Sequence, residues 1–308
     1  MDKVSSVLQV IVPIFTALIL GMIVKQRKTI SEAGVDGMQR LVVHYLLPCV
    51  LYNSYLSAEL TREALTSMGL LPLLFVPCLW SFHMRKSRFP YHNLPLVFTA
   101  QESGMVGIPL FLVLFGESQA YHFATLDMIQ GLLALPVIAI LSGDRGRRPS
   151  VWNVITSLFT SPLMLAGLLG LALKLTGLMD LLNGWGIGQV LTETTQFLAG
   201  PVSAIMLFVT GYHFSLGTEE RKIVLRLGLI RLGFFGTICL AIQGVLSLLP
   251  AADPLTRWAV LLYCALPSTF VAPSLGRTDQ DRAIASGLSS LLTVVTMFVF
   301  CLMAILTA

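Results

Sequence analysis

Ten runs of mostly apolar residues, each long enough to cross a lipid bilayer, are spread along the chain. A membrane-spanning helix needs about 20 such residues. The runs cover residues 6–24, 38–56, 66–82, 92–115, 120–142, 152–174, 193–213, 229–249, 257–275 and 284–306. Hydrophobic residues make up 55% of the chain and charged residues 12%, and the mean hydropathy is +0.81. The sequence therefore predicts an all-α polytopic membrane protein of ten helices, without a separate water-soluble domain.

The basic residues divide unequally between the two sides of the membrane when the spans alternate in direction. Sixteen of the 20 Lys and Arg residues fall on one side. The other side has Lys3, Arg62, Lys174 and Arg257. Because basic residues accumulate in cytoplasmic loops, we expect a multi-pass protein of the cell inner (plasma) membrane with both termini extracytoplasmic. This distribution accounts for the net charge of +4 without a nucleic-acid partner.

A basic connection at residues 143–150 divides the chain into two halves of five spans each. Prolines within the spans lie at similar spacings, 35 and 61 residues in the first half and 39 and 66 in the second. They are Pro13, Pro48, Pro109, Pro162, Pro201 and Pro267. An odd number of spans per half requires the second copy to be inverted. The sequence predicts a five-helix repeat at 1–142, a cytoplasmic linker at 143–150 and an inverted repeat at 151–308.

Polar and helix-breaking residues interrupt the fourth and ninth spans. They are Gln101, Glu102, Ser103, Gly104, Gly107 and Pro109 in the fourth, and Pro267, Ser268, Thr269 and Pro273 in the ninth. Lipid cannot satisfy an unwound backbone or a carboxyl group, so such breaks persist only where protein or water surrounds them. We expect two discontinuous helices that cross at mid-membrane and form a solute site, with half-helix N-termini attracting anions and opposed carbonyls suiting a cation.

Glu102 has two interpretations at such a site. As a proton-coupling residue it is protonated when an anionic substrate binds, because burial favours the neutral carboxyl. Alternatively it lines a wet cavity or pairs with a neighbour without a role in coupling.

Other polar residues inside spans are secondary candidates. Asp127 and Gln130 share a face of the fifth span and either line the cavity or form hydrogen bonds between helices. His44 and Asn53 flank Pro48 in the second span, where packing competes with a functional role. We expect Arg231, His213 and Glu193 to lie near span ends, where snorkelling or interfacial solvation accounts for them, and we expect no arginine at mid-membrane.

Metal and cofactor chemistry is not indicated. The cysteines, predicted to be packing residues without a disulfide or zinc site, are Cys49, Cys78, Cys239, Cys264 and Cys301. Metalloprotease and Walker motifs do not occur, so we expect no enzyme and no cofactor beyond a coupling ion. Gly167, Gly170, Gly233 and Gly236 are expected to permit close helix approach.

Several short strings resemble the auxin efflux carrier family, which includes bacterial malonate-permease-like members. They are Val12-Pro13-Ile14-Phe15, Leu46-Leu47-Pro48, Gly107-Ile108-Pro109-Leu110 and Ala265-Leu266-Pro267-Ser268. The resemblance implies a ten-helix carrier of the bile acid/arsenite/auxin transporter superfamily, in which spans 1, 2, 6 and 7 form a scaffold panel and spans 3–5 and 8–10 a moving core. It also suggests a homodimer through the panel. Family members commonly have asparagine where this chain has Glu102.

The predicted function is secondary active transport of a small organic anion, a mono- or dicarboxylate, coupled to protons and working by alternating access. One alternative is a sodium-coupled symporter of the bile acid type, with oxygen ligands from Glu102, Ser103, Ser268 and Thr269. Others are a membrane receptor, or an intramembrane enzyme with Asp127 and Glu102 as an acid pair. The substrate and the direction of transport stay open.

Overall fold

The structure of the protein is a computed structural model. It describes residues 3–58, 94–130, 156, 160–214, 220–248, 253–270 and 272–307. The third predicted span, 66–82, and the predicted linker, 143–150, lie outside the described residues, as do parts of the fourth, fifth, sixth, eighth and ninth spans. Within the described ranges every regular element is a helix, so this part of the chain is all-α.

Six of the described α-helices belong to the first half of the chain. They are α1 (Lys3–Arg27), α2 (Glu32–Leu41), α3 (Leu47–Ser57), α4 (Leu94–Thr99), α5 (Ile108–Phe115) and α6 (Tyr121–Ile129). π-Helical turns at Val42–Leu46 and Ser103–Gly107 precede α3 and α5, and a 3-10 turn at Glu117–Gln119 precedes α6. Pro48 and Pro109 are the second residues of α3 and α5, directly after these π-helical turns.

Seven of the described α-helices belong to the second half. They are α7 (Pro162–Thr176), α8 (Leu178–Gly184), α9 (Ile187–Ala199), α10 (Val202–His213), α11 (Arg221–Leu248), α12 (Pro254–Ala265) and α13 (Asp279–Thr307). Gly177 ends α7 with a φ of 67°, a conformation that favours glycine, and the chain bends by 81° into α8. A 3-10 turn at Ala272–Leu275 lies between α12 and α13.

Several described helices are long and apolar enough to cross a membrane. Four segments qualify: Val7–Arg27, Ile187–His213, Arg221–Leu248 and Asp279–Thr307. The bent pair α7 and α8 makes a fifth if it counts as one span. Large apolar side chains on these helices face outward, as Leu240 and Phe298 do with 75% and 72% of their surface exposed. Outward apolar surface of this kind suits lipid, so the described part is that of a membrane protein with four or five candidate spans.

Two helix pairs approach each other closely at glycines. A Cβ on Gly21 of α1 would strike the backbone carbonyl of Phe208 in α10, and one on Gly211 of α10 would strike Leu18 O in α1. In the other pair, a Cβ on Gly170 of α7 would meet the Tyr52 carbonyl of α3. Small residues at such contacts allow helix backbones to approach within van der Waals distance.

The described helices fall into two groups by their contacts. In the first, α10 packs on α1 and α2, and α3 packs on α7 and α9. In the second, α11, α12 and α13 pack on one another and α6 packs on α12. The groups meet where α10 contacts α5 and the turn before it, where α1 contacts α13, and where α3 contacts the 3-10 turn at Glu117–Gln119. The candidate site lies in the second group, beside this boundary.

Candidate solute-binding site

The two interrupted segments, residues 100–102 after α4 and 266–270 after α12, lie side by side and run antiparallel. Gln101 and Ser268 form an isolated β-bridge. The backbone bonds are Glu102 N to Pro267 O at 2.9 Å and Thr269 N to Ala100 O at 3.1 Å. Each break thus satisfies backbone groups that the other leaves free, which allows unwound chain to persist inside an apolar protein. The structure brings together the two breaks singled out in the sequence.

The Glu102 carboxylate is held by donors from the second interrupted segment. The residue is 7% exposed, and its Oε2 accepts the backbone N–H of Phe270 at 2.6 Å. The Thr269 hydroxyl also donates to the carboxylate. Glu102 occupies the N-cap position of the helix that continues into α5, but its side chain accepts no hydrogen bond from the first N–H groups of that helix. The carboxylate of one segment therefore binds donors of the other.

A side-chain network from α6 supports the first segment. The Gln130 Oε1 accepts Gln101 N at 2.8 Å and the Tyr263 hydroxyl at 2.7 Å. Its Nε2 donates to Gln101 O at 3.0 Å and to Ser103 Oγ at 3.3 Å. The Ser103 hydroxyl in turn donates to Asp127. Asp127 and Gln130, predicted to share a helix face, both reach the crossing. Gln130 binds the unwound backbone, and Asp127 is partly exposed.

Hydroxyls of α13 support the second segment. The Ser268 and Ser289 hydroxyls lie 2.7 Å apart, and Ser289 Oγ also donates to Ser268 O at 3.1 Å. Thr296 Oγ1 donates to the freed carbonyl of Ala265 at 2.6 Å. The sequence analysis missed Ser289 and Thr296. Hydroxyls within an apolar run were the available signal, but such groups can bond to their own helix and so indicate little by themselves.

Arg231 of α11 is the largest fully buried side chain of the described residues, with 2% of its surface exposed. Its Nη1 donates to Leu266 O at 3.1 Å, its Nη2 donates to Gln101 Oε1, and its Nε lies 3.5 Å from Phe98 O. The guanidinium carbon also lies 5.3 Å from the centroid of the Phe235 ring. One side chain therefore binds both interrupted segments.

The expectation that Arg231 snorkels from a span end is wrong. The predicted eighth span begins at residue 229, but α11 begins at Arg221, so Arg231 lies ten residues inside the helix, where its side chain is buried by protein.

The glycines and the proline of the fourth-span signature shape the site and offer it no side-chain ligand. Pro109 is buried in the first turn of α5. A Cβ on Gly107 would overlap the Phe123 ring, so this glycine allows α6 to pack against the turn. Gly104 faces Leu47 of the first helix group, 3.8 Å from where its Cβ would lie. Close packing, rather than ligand binding, accounts for these three positions.

A cavity of about 730 Å³ opens beside the crossing. Phe270 and Ser289, which contact the crossing directly, line it. Its charged lining residues are Lys25, Glu32, Asp36, Arg40 and Arg282. The three basic residues belong to the set predicted to face the cytoplasm. A small organic ion would fit this volume, because small-molecule pockets commonly enclose about 300–1,000 Å³.

His213 lines the same cavity, although the sequence analysis assigned it to a span end. Its ring stacks on Phe270, with centroids 5.9 Å apart. Its Nε2 is buried and has no hydrogen-bond partner among the described residues. A ring nitrogen in this position can bond to a solute that reaches Phe270.

His44 and Asn53 do not join the crossing. His44 is exposed, and its ring bonds the Arg40 carbonyl of its own helix at 3.0 Å. Asn53 lies at the opposite end of the helix groups from the cavity lining. Its Nδ2 donates to Glu117 Oε1 at 2.7 Å, and its Oδ1 accepts the Thr195 hydroxyl at 2.6 Å. Asn53 therefore links α3 and α9 of the first group to the turn between α5 and α6.

Among the residues that the structure describes, no group of three or more His, Cys, Asp or Glu side chains is placed to hold a metal. Cys78 lies outside the described residues. Cys239 and Cys264 are buried in α11 and α12. Both remain free thiols.

Comparison with known proteins finds no matching protein-family model and no matching curated protein.

Proposed function

We propose that the protein is a secondary carrier of small organic anions, mono- or dicarboxylates, in the plasma membrane. The observation that carries the proposal is the antiparallel crossing of two interrupted apolar helices at the edge of a cavity. Discontinuous helices that place their free ends at a common point are the binding elements of many secondary transporters. The same arrangement underlies the resemblance to auxin efflux carriers.

Binding of an anion is coupled to protonation of Glu102 in this proposal. The Phe270 N–H and the Thr269 hydroxyl already bind a carboxylate, that of Glu102. A protonated Glu102 has no charge to hold these donors, so a substrate carboxylate entering from the cavity takes its place. Two ionised carboxylates at one buried site would repel each other, which links substrate binding to proton binding.

Alternating access completes the proposal. The cavity opens toward the predicted cytoplasmic side, and the Asn53, Glu117 and Thr195 hydrogen bonds close the other end. This combination supports an inward-open state. The second helix group is the moving core, and the first is the scaffold panel through which two copies pair.

The ten-span, inverted-repeat plan with both termini outside belongs to the same proposal. The contacts of two glycines support it. Gly21 lies eight residues after Pro13, and Gly170 lies eight residues after Pro162. Each contacts the backbone of a partner helix from the other half of the chain, α10 for Gly21 and α3 for Gly170. Equivalent positions making equivalent contacts are expected of two inverted copies.

Uptake by proteoliposomes tests the proposal. Purified protein is reconstituted and supplied with labelled malonate, acetate or succinate, with and without an inward proton gradient. We expect a proton gradient to accelerate uptake of at least one carboxylate over protein-free liposomes. A labelled sugar and a labelled amine are the controls; uptake confined to either of them would overturn the assignment to anions.

A further inference from the structure

Arg231 places a fixed positive charge where two half-helices end. Leu266 immediately follows the last residue of α12, and Phe98 lies in the last turn of α4. Carbonyls at a helix C-terminus lack intrahelical partners and form the negative end of the helix dipole. In secondary transporters with broken helices, such carbonyls coordinate coupling cations. Here the guanidinium binds both ends.

A third oxygen beside these two carbonyls also accepts a hydrogen bond from Arg231. Gln101 Oε1, which projects from the crossing, accepts from the same guanidinium. A sodium ion is a hard cation that needs several oxygen ligands, and it would have to displace a covalently tethered cation to reach them. A guanidinium stays charged at neutral pH, so the competition does not lapse during a transport cycle.

We propose that Arg231 is a resident cation that takes the place of a coupling sodium ion at the crossing, so that transport runs without sodium. The inference rests on the proposed carrier function and assigns a coupling role to a residue outside the predicted site. It also separates the proton-coupled function from the sodium-coupled alternative.

The test compares sodium with choline in two independent assays. Wild-type protein, Arg231→Gln, Arg231→Lys and the control Arg226→Gln, an exposed position on the same helix, are reconstituted for labelled-carboxylate uptake. We expect equal wild-type uptake rates in sodium and choline. Arg231→Gln should lower uptake about tenfold or more, because the buried oxygens that accept hydrogen bonds from the guanidinium lose their charged donor. Arg231→Lys should retain more uptake than Arg231→Gln, and Arg226→Gln should match the wild type.

Thermal unfolding of the purified proteins in sodium or choline chloride is the second assay. We expect the wild-type midpoint to be the same in both salts and the Arg231→Gln midpoint to rise in sodium, because the carbonyls that no longer bind a guanidinium can then bind the ion.

A sodium-dependent rise in the wild-type uptake rate or midpoint would overturn the inference while leaving the carrier function intact. If no carboxylate is transported, the carrier proposal fails and the wild-type midpoints still decide the sodium question. If Arg231→Gln does not fold, the wild-type and Arg231→Lys measurements decide it.

Discussion

At the scale of single residues, Glu102 is the side chain on which proton coupling depends. It is buried, and its carboxylate accepts hydrogen bonds from Phe270 and Thr269 of the other crossing segment. Arg231 holds the carbonyl side of the same crossing. The hydrogen-bond donors that bind a carboxylate and the carbonyl oxygens that bind a cation therefore lie at different points of one short stretch of paired backbone.

Replacing Glu102 by glutamine should abolish the pH dependence of uptake. The carboxamide keeps the size of the side chain but is neutral at every pH, so substrate binding no longer requires a proton. In the wild type we expect uptake to rise as the pH falls, with a limiting slope of about tenfold per pH unit for one proton. The measurement is the initial rate of labelled-carboxylate uptake between about pH 5 and pH 8.

Glu193→Gln is the matched control, because Glu193 is exposed on α9 and, among the residues that the structure describes, bonds only Gln189 of its own helix. It should keep the wild-type pH profile. A Glu102→Gln variant that retained the acid stimulation would rule out Glu102 as the proton carrier.

The sequence predicted some of the residues that meet at the crossing and missed others. Glu102, Ser268 and Gln130 could be singled out because a polar residue inside an apolar run is a local signal. Arg231 was missed because its depth depends on where α11 begins, and the apolar run alone placed that start too late. Ser289 and Thr296 gave no distinct signal, since hydroxyls are common in apolar helices.

At the scale of helices, contact between α1 and α10 depends on the absence of side chains at Gly21 and Gly211. Their neighbours are backbone atoms, which cannot rotate away as a side chain can. The first helix group is held together by this contact and by that of Gly170 with α3.

Gly211→Ala should therefore lower the free energy of unfolding by roughly 1–3 kcal/mol, the usual effect of overpacking a close contact. Gly233→Ala is the control, because no heavy atom of the described residues, apart from its own helix backbone and chain neighbours, lies within 4 Å of its Cβ position on α11. Thermal unfolding in detergent should show a lower midpoint for Gly211→Ala and an unchanged or higher one for Gly233→Ala. Equal shifts in both variants would contradict the close contact.

The glycines show how far sequence alone predicts contacts between helices. Gly170 makes the expected close approach, whereas Gly233 and Gly236 approach none of the residues that the structure describes outside their own helix. Glycine indicates that a close approach is allowed, but the partner helix is determined by how distant segments pack. That information is not local, so sequence alone does not identify the partner.

At the scale of the whole molecule, the hydrogen bonds among Asn53, Glu117 and Thr195 join the two helix groups at the end away from the cavity. Ser54, fully buried, donates to the Glu117 carbonyl at 2.8 Å. Opening of this end requires these bonds to break.

Glu117→Ala should open that end, because it removes the acceptor for Asn53. Losing a hydrogen bond to a charged group costs about 1.5–3 kcal/mol, so the population of open molecules should rise about tenfold or more. The readout is labelling of Ser54→Cys by an impermeant maleimide, in protein whose native cysteines are replaced. Glu117→Gln, which keeps an acceptor oxygen, should label slowly; equally fast labelling of the two variants would contradict this closure.

The same closure should respond to pH. Burial raises the pKa of Glu117, and the hydrogen bond from Asn53 offsets part of the rise. Because the closed end then binds the proton more tightly than an open end exposed to water, acid favours closure and a rising pH weakens it. The measurement is the ratio of two labelling rates, that of Ser54→Cys alone divided by that of Ser54→Cys combined with Glu117→Gln. This ratio should increase as the pH rises through the raised pKa of Glu117. A ratio that stays constant over that range would contradict this role for Glu117.

The central claim, that a small organic anion crosses the membrane at the helix crossing, is tested most directly by counterflow. Proteoliposomes are loaded with excess unlabelled malonate, acetate or succinate and diluted into a trace of the same compound carrying a label. For at least one of the three we expect a carrier to exchange internal for external substrate, so that label accumulates transiently inside above its external concentration. Protein-free liposomes and Arg231→Gln should show little accumulation. Failure of the wild type to accumulate any of the three would contradict the claim.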